Sequence, residues 1–84
     1  MTPVEQLLAA ISRSRPDVRI ERLTVTHPAD DDNVWFIRDG RREVQLDCHP
    51  GGSGPFLVEG DEEAPVQVAD VEEALAAVQR VMRW

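Results

Sequence analysis

The stretch Val34 to His49 reads V-W-F-I-R-D-G-R-R-E-V-Q-L-D-C-H, two apolar-patterned runs on either side of Asp39-Gly40. Asp-Gly between such runs is a strong short-range hairpin signal. A type I′ turn needs positive φ at both central residues, which Asp tolerates and Gly adopts freely, so Asp39 and Gly40 suit a two-residue loop. That register pairs Trp35 with Val44 and Ile37 with Arg42. Trp35, Ile37, Val44 and Leu46 then share one face, while Val34 and Phe36 lie on the other. A three-residue loop with a bulge shifts the pairing by one and moves Val34 and Phe36 to the face of Val44, Leu46 and Cys48. The two-residue loop is the preferred reading. In either register the first strand is apolar on both faces, so it lies inside the sheet or turns one face toward a partner.

Helical patterns stand at both ends of the chain. Thr2-Pro3-Val4-Glu5 has the form of a capping box, with Pro3 at the first helical position. Val4, Leu7, Leu8 and Ile11 follow at i, i+3, i+4 and i+7, one apolar stripe that must face a sheet. Arg13 and Arg15 suit the negative end of this helix, and Pro16 stops it. Near the C-terminus Asp70 is an N-cap, with Glu72 and Glu73 in the first turn. The spacing of Val71, Ala74, Leu75, Val78, Val81 and Met82 predicts an amphipathic helix to about Arg83. Trp84 either folds back onto the core or stands exposed for a contact.

Between these ends, Asp17 to Thr26 alternates as a strand. A bulge near Glu21-Arg22 would turn Val18, Ile20, Leu23 and Val25 all inward. The polar segment 27–33, with its run Asp30-Asp31-Asp32, reads as a solvated loop. It lacks the alternate ligands, central Gly and twelfth-position Glu of a calcium loop. His49-Pro50-Gly51-Gly52-Ser53-Gly54-Pro55 reads as a flexible connector, since neither a Walker pattern nor a dinucleotide fingerprint fits its spacing. Phe56-Leu57-Val58 should add a strand ending at Gly60. Residues 59–65 are the densest acidic run, and Val66-Gln67-Val68 is a short edge strand or merely extended.

The chain has 84 residues, 30% of them charged and 42% apolar, which describes one soluble globular domain over residues 1–84. No apolar run approaches the ~20 residues that cross a bilayer. Met1-Thr2-Pro3 leads directly into a helical pattern without a leader, and the single cysteine, Cys48, can form no internal disulfide. Both point to the cytoplasm. The net charge of −7 is unevenly spread. Residues 1–42 hold seven Arg and seven acidic residues, whereas residues 43–84 hold two Arg and nine acidic residues. Affinity for a phosphate backbone needs Lys and Arg, so nucleic acid is disfavoured and a basic protein partner favoured.

Asp47-Cys48-His49 invites a nucleophile reading. In a strand, however, neighbours alternate faces, so the Cys48 thiol points away from the His49 imidazole. Cys48 is better explained as a small buried hydrophobe. Two His and one Cys make no recognisable zinc site. No catalytic, cofactor-binding or metal-binding residue is therefore expected, and the chain is read as non-enzymatic. In size and charge it resembles small acidic bacterial proteins of the cytosolic immunity or antitoxin type, an analogy that implies capture of a basic partner.

The expected fold is α+β, a single antiparallel sheet of about four strands with the N- and C-terminal helices packed on one face, in the order α-β-β-β-β-α. The expected role is protein interaction, with a basic partner or by self-association. Candidate contact residues are Trp35 and Phe36 on the sheet and Glu59, Asp61, Glu62 and Glu63 in the acidic run. The alternative is a small-molecule site at the glycine-rich loop 51–54.

Overall fold

Each helix begins where its cap is written. In the computed structural model, which describes residues 2–23, 33–61 and 64–84, helix α1 spans Pro3–Ser14. The Thr2 hydroxyl accepts from the Glu5 amide (3.3 Å), and the Glu5 carboxylate accepts from the Thr2 amide (3.1 Å) and hydroxyl (2.8 Å). Helix α2 spans Val71–Met82. There the Asp70 carboxylate accepts from the Glu73 amide (2.8 Å), and the Glu73 carboxylate accepts from the Ala69 amide (3.0 Å). Arg83 turns into the left-handed region (φ 57°), and Trp84 donates its amide back to the Gln79 carbonyl (3.0 Å).

The sheet is an antiparallel meander of β1 (Arg19–Arg22), β2 (Val34–Asp39), β3 (Arg42–Asp47), β4 (Phe56–Gly60) and β5 (Val66–Val68), paired in chain order. The element order is thus α-β-β-β-β-β-α, with five strands where about four were expected, because Val66–Val68 pairs fully with β4.

The central hairpin departs from both registers considered from sequence. Asp39 pairs with Arg42, Ile37 with Val44 and Trp35 with Leu46, so the turn residues are Gly40 and Arg41. Gly40 takes the positive φ (62°) at the first central position, and Arg41 needs none. Cross-strand partners explain the two-residue slip. Ile37 now faces Val44 instead of Arg42, and Arg38 faces Glu43. Apolar and opposite-charge pairs of this kind stabilise a ladder, and they outweigh the turn preference of Asp-Gly. A slip of two conserves the faces, so Trp35, Ile37, Val44 and Leu46 still share one side.

In β1 the pairing runs regularly from Arg19↔Arg38 to Arg22↔Trp35, without the expected bulge. The Leu23 amide continues the ladder to the Val34 carbonyl (2.8 Å). Leu23 therefore faces away from the helices and is 37% exposed. Thr24, Val25 and Thr26 lie outside the described residues.

Both helices cover the same face. The core consists of Val4, Leu7 and Ile11 from α1, Ala74, Ala77, Val78 and Met82 from α2, and the alternating strand residues Trp35, Ile37, Val44, Leu46, Cys48, Phe56 and Val58. Ala77 was absent from the expected stripe, yet its small side chain lets α2 approach. At Gly60 a Cβ would overlap the Val81 side chain of the helix. At one end of this layer Trp84 Nε1 donates to Asp39 Oδ2 (2.9 Å), and Arg15 lies over the indole at 5.4 Å from its centroid.

The glycine-rich segment forms a 3-10 turn, Pro50–Gly52, within which Gly52 donates to the His49 carbonyl and His49 to the Ser53 carbonyl, each at 3.0 Å. Gly52 has φ 81° and is buried against Thr2 and Val4. The segment expected to be a flexible connector is thus seated beneath the start of α1.

Candidate interaction surface

Strand alternation that sends half the side chains under the helices sends the other half to a face that no described element covers. Across it, β1 and β2 contribute Arg19, Glu21, Val34, Phe36 and Arg38, with Leu23 just past β1. Strands β3 and β4 contribute Glu43, Gln45, Asp47, Leu57 and Glu59, with Gln67 on β5 and Asp61 just past β4. Val34, Phe36 and Leu57 are only half-buried.

Arg38 organises the upper part of this face. Its guanidinium bridges Glu43 and Glu21 (3.0 Å to the latter) and lies over the Phe36 ring, 5.7 Å from its centroid. The hydrogen bond to Glu43, and then that to Glu21, raises the Arg38 pKa above its ordinary value. Phe36 therefore has one flank covered by Arg38, which links β1, β2 and β3 above the ring.

Two shallow depressions follow one another along β3 and β4. The upper one, about 230 Å³, is lined by Glu43, Gln45, Glu59, Gly60 and Asp61. The lower one, about 270 Å³, is lined by Asp47, His49, Pro55, Leu57 and Gln67 among others. Gln45 Nε2 donates to Asp47 Oδ1 (3.1 Å), which fixes the carboxylate between the two.

Of the residues singled out from sequence, Phe36, Glu59 and Asp61 lie on this face or its margin. Trp35 does not. It is 8% exposed and belongs to the core, with Arg22 over its ring at 4.9 Å, because neighbours in a strand alternate faces and Trp35 shares the helix-covered one with Ile37 and Leu46. Glu62 and Glu63 lie outside the described residues, as do His27 and the run Asp30 to Asp32. Gln45 falls on the face of Val34 and Phe36 from sequence as well, but Gln45, Asp47 and Leu57 are not among the contact residues that the sequence singles out. Their alternation with Leu46 and Val58 is the signal that finds them.

Cys48 is buried, and it lines the lower depression together with its neighbours Asp47 and His49. Among the described residues, no group of three or more His, Cys, Asp or Glu side chains is arranged to hold a metal ion. A third depression of about 240 Å³ lies beside the glycine-rich turn, lined by Thr2, Glu5, Arg22, Asn33, Gly51 and Gly52 among others. There the amides of His49 and Gly52 are engaged inside the turn instead of pointing outward as in a phosphate cradle. No described helix is long and apolar enough to cross a membrane. No protein-family model, curated protein or solved structure matches the chain.

Proposed function

We propose that the protein is a non-enzymatic interaction domain whose uncovered sheet face binds a basic partner protein. The observation that carries this reading is the composition of that face: half-buried Val34, Phe36 and Leu57 bordered by the carboxylates of Glu43, Asp47, Glu59 and Asp61. Apolar surface of this kind marks interaction sites when polar residues rim it. The surrounding acidic groups favour a cationic partner and repel a phosphate backbone. A cytoplasmic location accords with the reading, since the single cysteine is a buried side chain and forms no disulfide. An immunity- or antitoxin-like protein that neutralises a basic target would use such a face in this way.

A tagged copy of the protein, carried through its host extract at low and at high salt, tests the proposal against a Phe36→Glu variant. The expected result is one basic protein retained at low salt by the parent, released at high salt and absent from the variant. Identical captures by parent and variant would show that the uncovered face is not the binding surface.

A further inference from the structure

We propose that the trough between β3 and β4 on the uncovered face seats an extended basic segment of the partner, taking two cationic side chains four residues apart. This inference rests on the interaction reading above and gives the partner a chemistry.

Register supplies the spacing. Gln45 pairs with Glu59 and Asp47 with Leu57, so the two depressions occupy successive rows of the same two strands. Their centres are about four residues apart, or ~13 Å at ~3.3 Å per strand residue. In an extended partner, residues i and i+4 point the same way at that separation, whereas i and i+3 point to opposite sides.

Charge complementarity supplies the identity. Glu43, Asp47, Glu59 and Asp61 line the trough, and of these Glu43 is bonded to Arg38. Among the described residues no cation lies within ion-pair distance of Asp47, Glu59 or Asp61. Arg42, the one cation on β3, is in the phase of the helix-covered side. A second copy of this chain would bring more carboxylates than cations to such a trough, which favours a foreign basic segment over self-pairing.

The lower depression further selects an arginine. Pro55 and Leu57 offer apolar walls for a methylene stem, and Asp47 and Gln67 offer acceptor oxygens for a planar guanidinium. Val34 and Phe36 stand beside the trough opposite Asp47 and Gln45, where an apolar side chain at the intervening i+2 position would lie.

The test is an NMR titration of the intact protein with two synthetic peptides of identical composition. One carries arginines at i and i+4 with valine at i+2, and the other carries arginines at i and i+3. The first should shift the amide resonances of Asp47, Leu57, Glu59 and Gln67 and bind more tightly than the second. Asp47→Asn and Glu59→Gln, both surface changes, should each weaken binding about two- to five-fold and flatten its salt dependence. Equal binding of the two peptides, or shifts confined to other residues, would overturn the proposal. So would shifts of the same amides on raising protein concentration without peptide, which would mark a second copy as the occupant. If a basic partner is lost from Phe36→Glu yet bound undiminished by the Asp47→Asn/Glu59→Gln double variant, the trough fails while the interaction reading stands. If neither peptide binds and no basic partner is retained, both fail.

Discussion

The two faces of the sheet are built from alternate residues of the same strands, and they differ in what a side chain there has to satisfy. On the helix side, Ile37, Val44, Leu46, Phe56 and Val58 are almost wholly removed from water, and among the described residues no charged or polar one is buried with them. On the other side, Phe36, Gln45, Asp47, Leu57 and Glu59 are half-buried, and the surface they form mixes rings, amides and carboxylates. The covered face is constrained by volume, because close-packed interiors register the loss of single methylene groups. The uncovered face is free to vary in chemistry without loss of fold, which makes it the side where recognition is expected.

Truncation at neighbouring positions on the two faces puts that contrast at its sharpest. Leu46→Ala, at a position with no exposed surface, should destabilise the protein by about 3 kcal/mol, a large part of the stability of a domain this small. Phe36→Ala, on the adjacent strand but the other face, should cost about 1 kcal/mol or less despite removing the larger side chain. Urea denaturation midpoints decide the matter. If Phe36→Ala proved as damaging as Leu46→Ala, the uncovered face would be a second core instead of a surface available to a partner.

Next in size is the contact that sets how closely the helix layer approaches. Gly60 pairs with Val44 on the covered face, and a Cβ there would run into Val81 of α2. Gly60→Ala should destabilise by about 1–3 kcal/mol through overpacking. Combining it with Val81→Ala should recover part of that loss, since the two side chains compete for one volume. Simple addition of the two single effects would show that α2 shifts as a whole without pressing on Gly60. The Trp84–Asp39 bond acts at the edge of the same layer. Trp84→Phe keeps the apolar body but removes the indole N–H, and should cost about 1 kcal/mol in the same urea experiment. Asp39→Asn combined with it should add little, as both changes interrupt one interaction.

These same contacts mark how far the fold could be read from residues alone. Periodicity was enough for both helices, their caps and the face on which Leu46 lies, because burial imposes a period of 3.6 or 2 that the sequence carries openly. Register was not legible to the residue. Asp39-Gly40 resembles a complete two-residue turn, and only the partners of Ile37 and Arg38 across the ladder reveal that Gly40-Arg41 is the better one. The approach of Val81 to Gly60 and the seating of Gly52 on Thr2 and Val4 join residues distant in sequence. A glycine in a strand or loop has no local feature that reports such a neighbour. For the candidate surface, Phe36 and Glu59 were found from alternation and charge, whereas Trp35 was offered through a register that the ladder does not adopt.

The smallest expected effect lies at the polar margin of the helix layer, where the cap of α1 makes it possible to ask whether charge contributes to the covered side at all. The Glu5 carboxylate accepts hydrogen bonds from the Thr2 amide and hydroxyl, and these bonds, the backbone one foremost, hold its pKa below the ordinary glutamate value. A carboxyl whose folded pKa is depressed contributes stability that is present above its unfolded pKa and is lost as pH falls through the folded value. Glu5→Gln retains the reach of the capping box and removes only the charge. The parent should therefore be slightly more stable than Glu5→Gln at neutral pH, and the difference should vanish once acid has protonated Glu5. Urea midpoints of both proteins at neutral pH and well below the glutamate range measure it. A gap that persisted unchanged into acid would mean that Glu5 acts through its shape. The start of α1 would then be held by burial and neutral hydrogen bonding, and any contribution of charge to the helix layer would come from the carboxylates that cap α2.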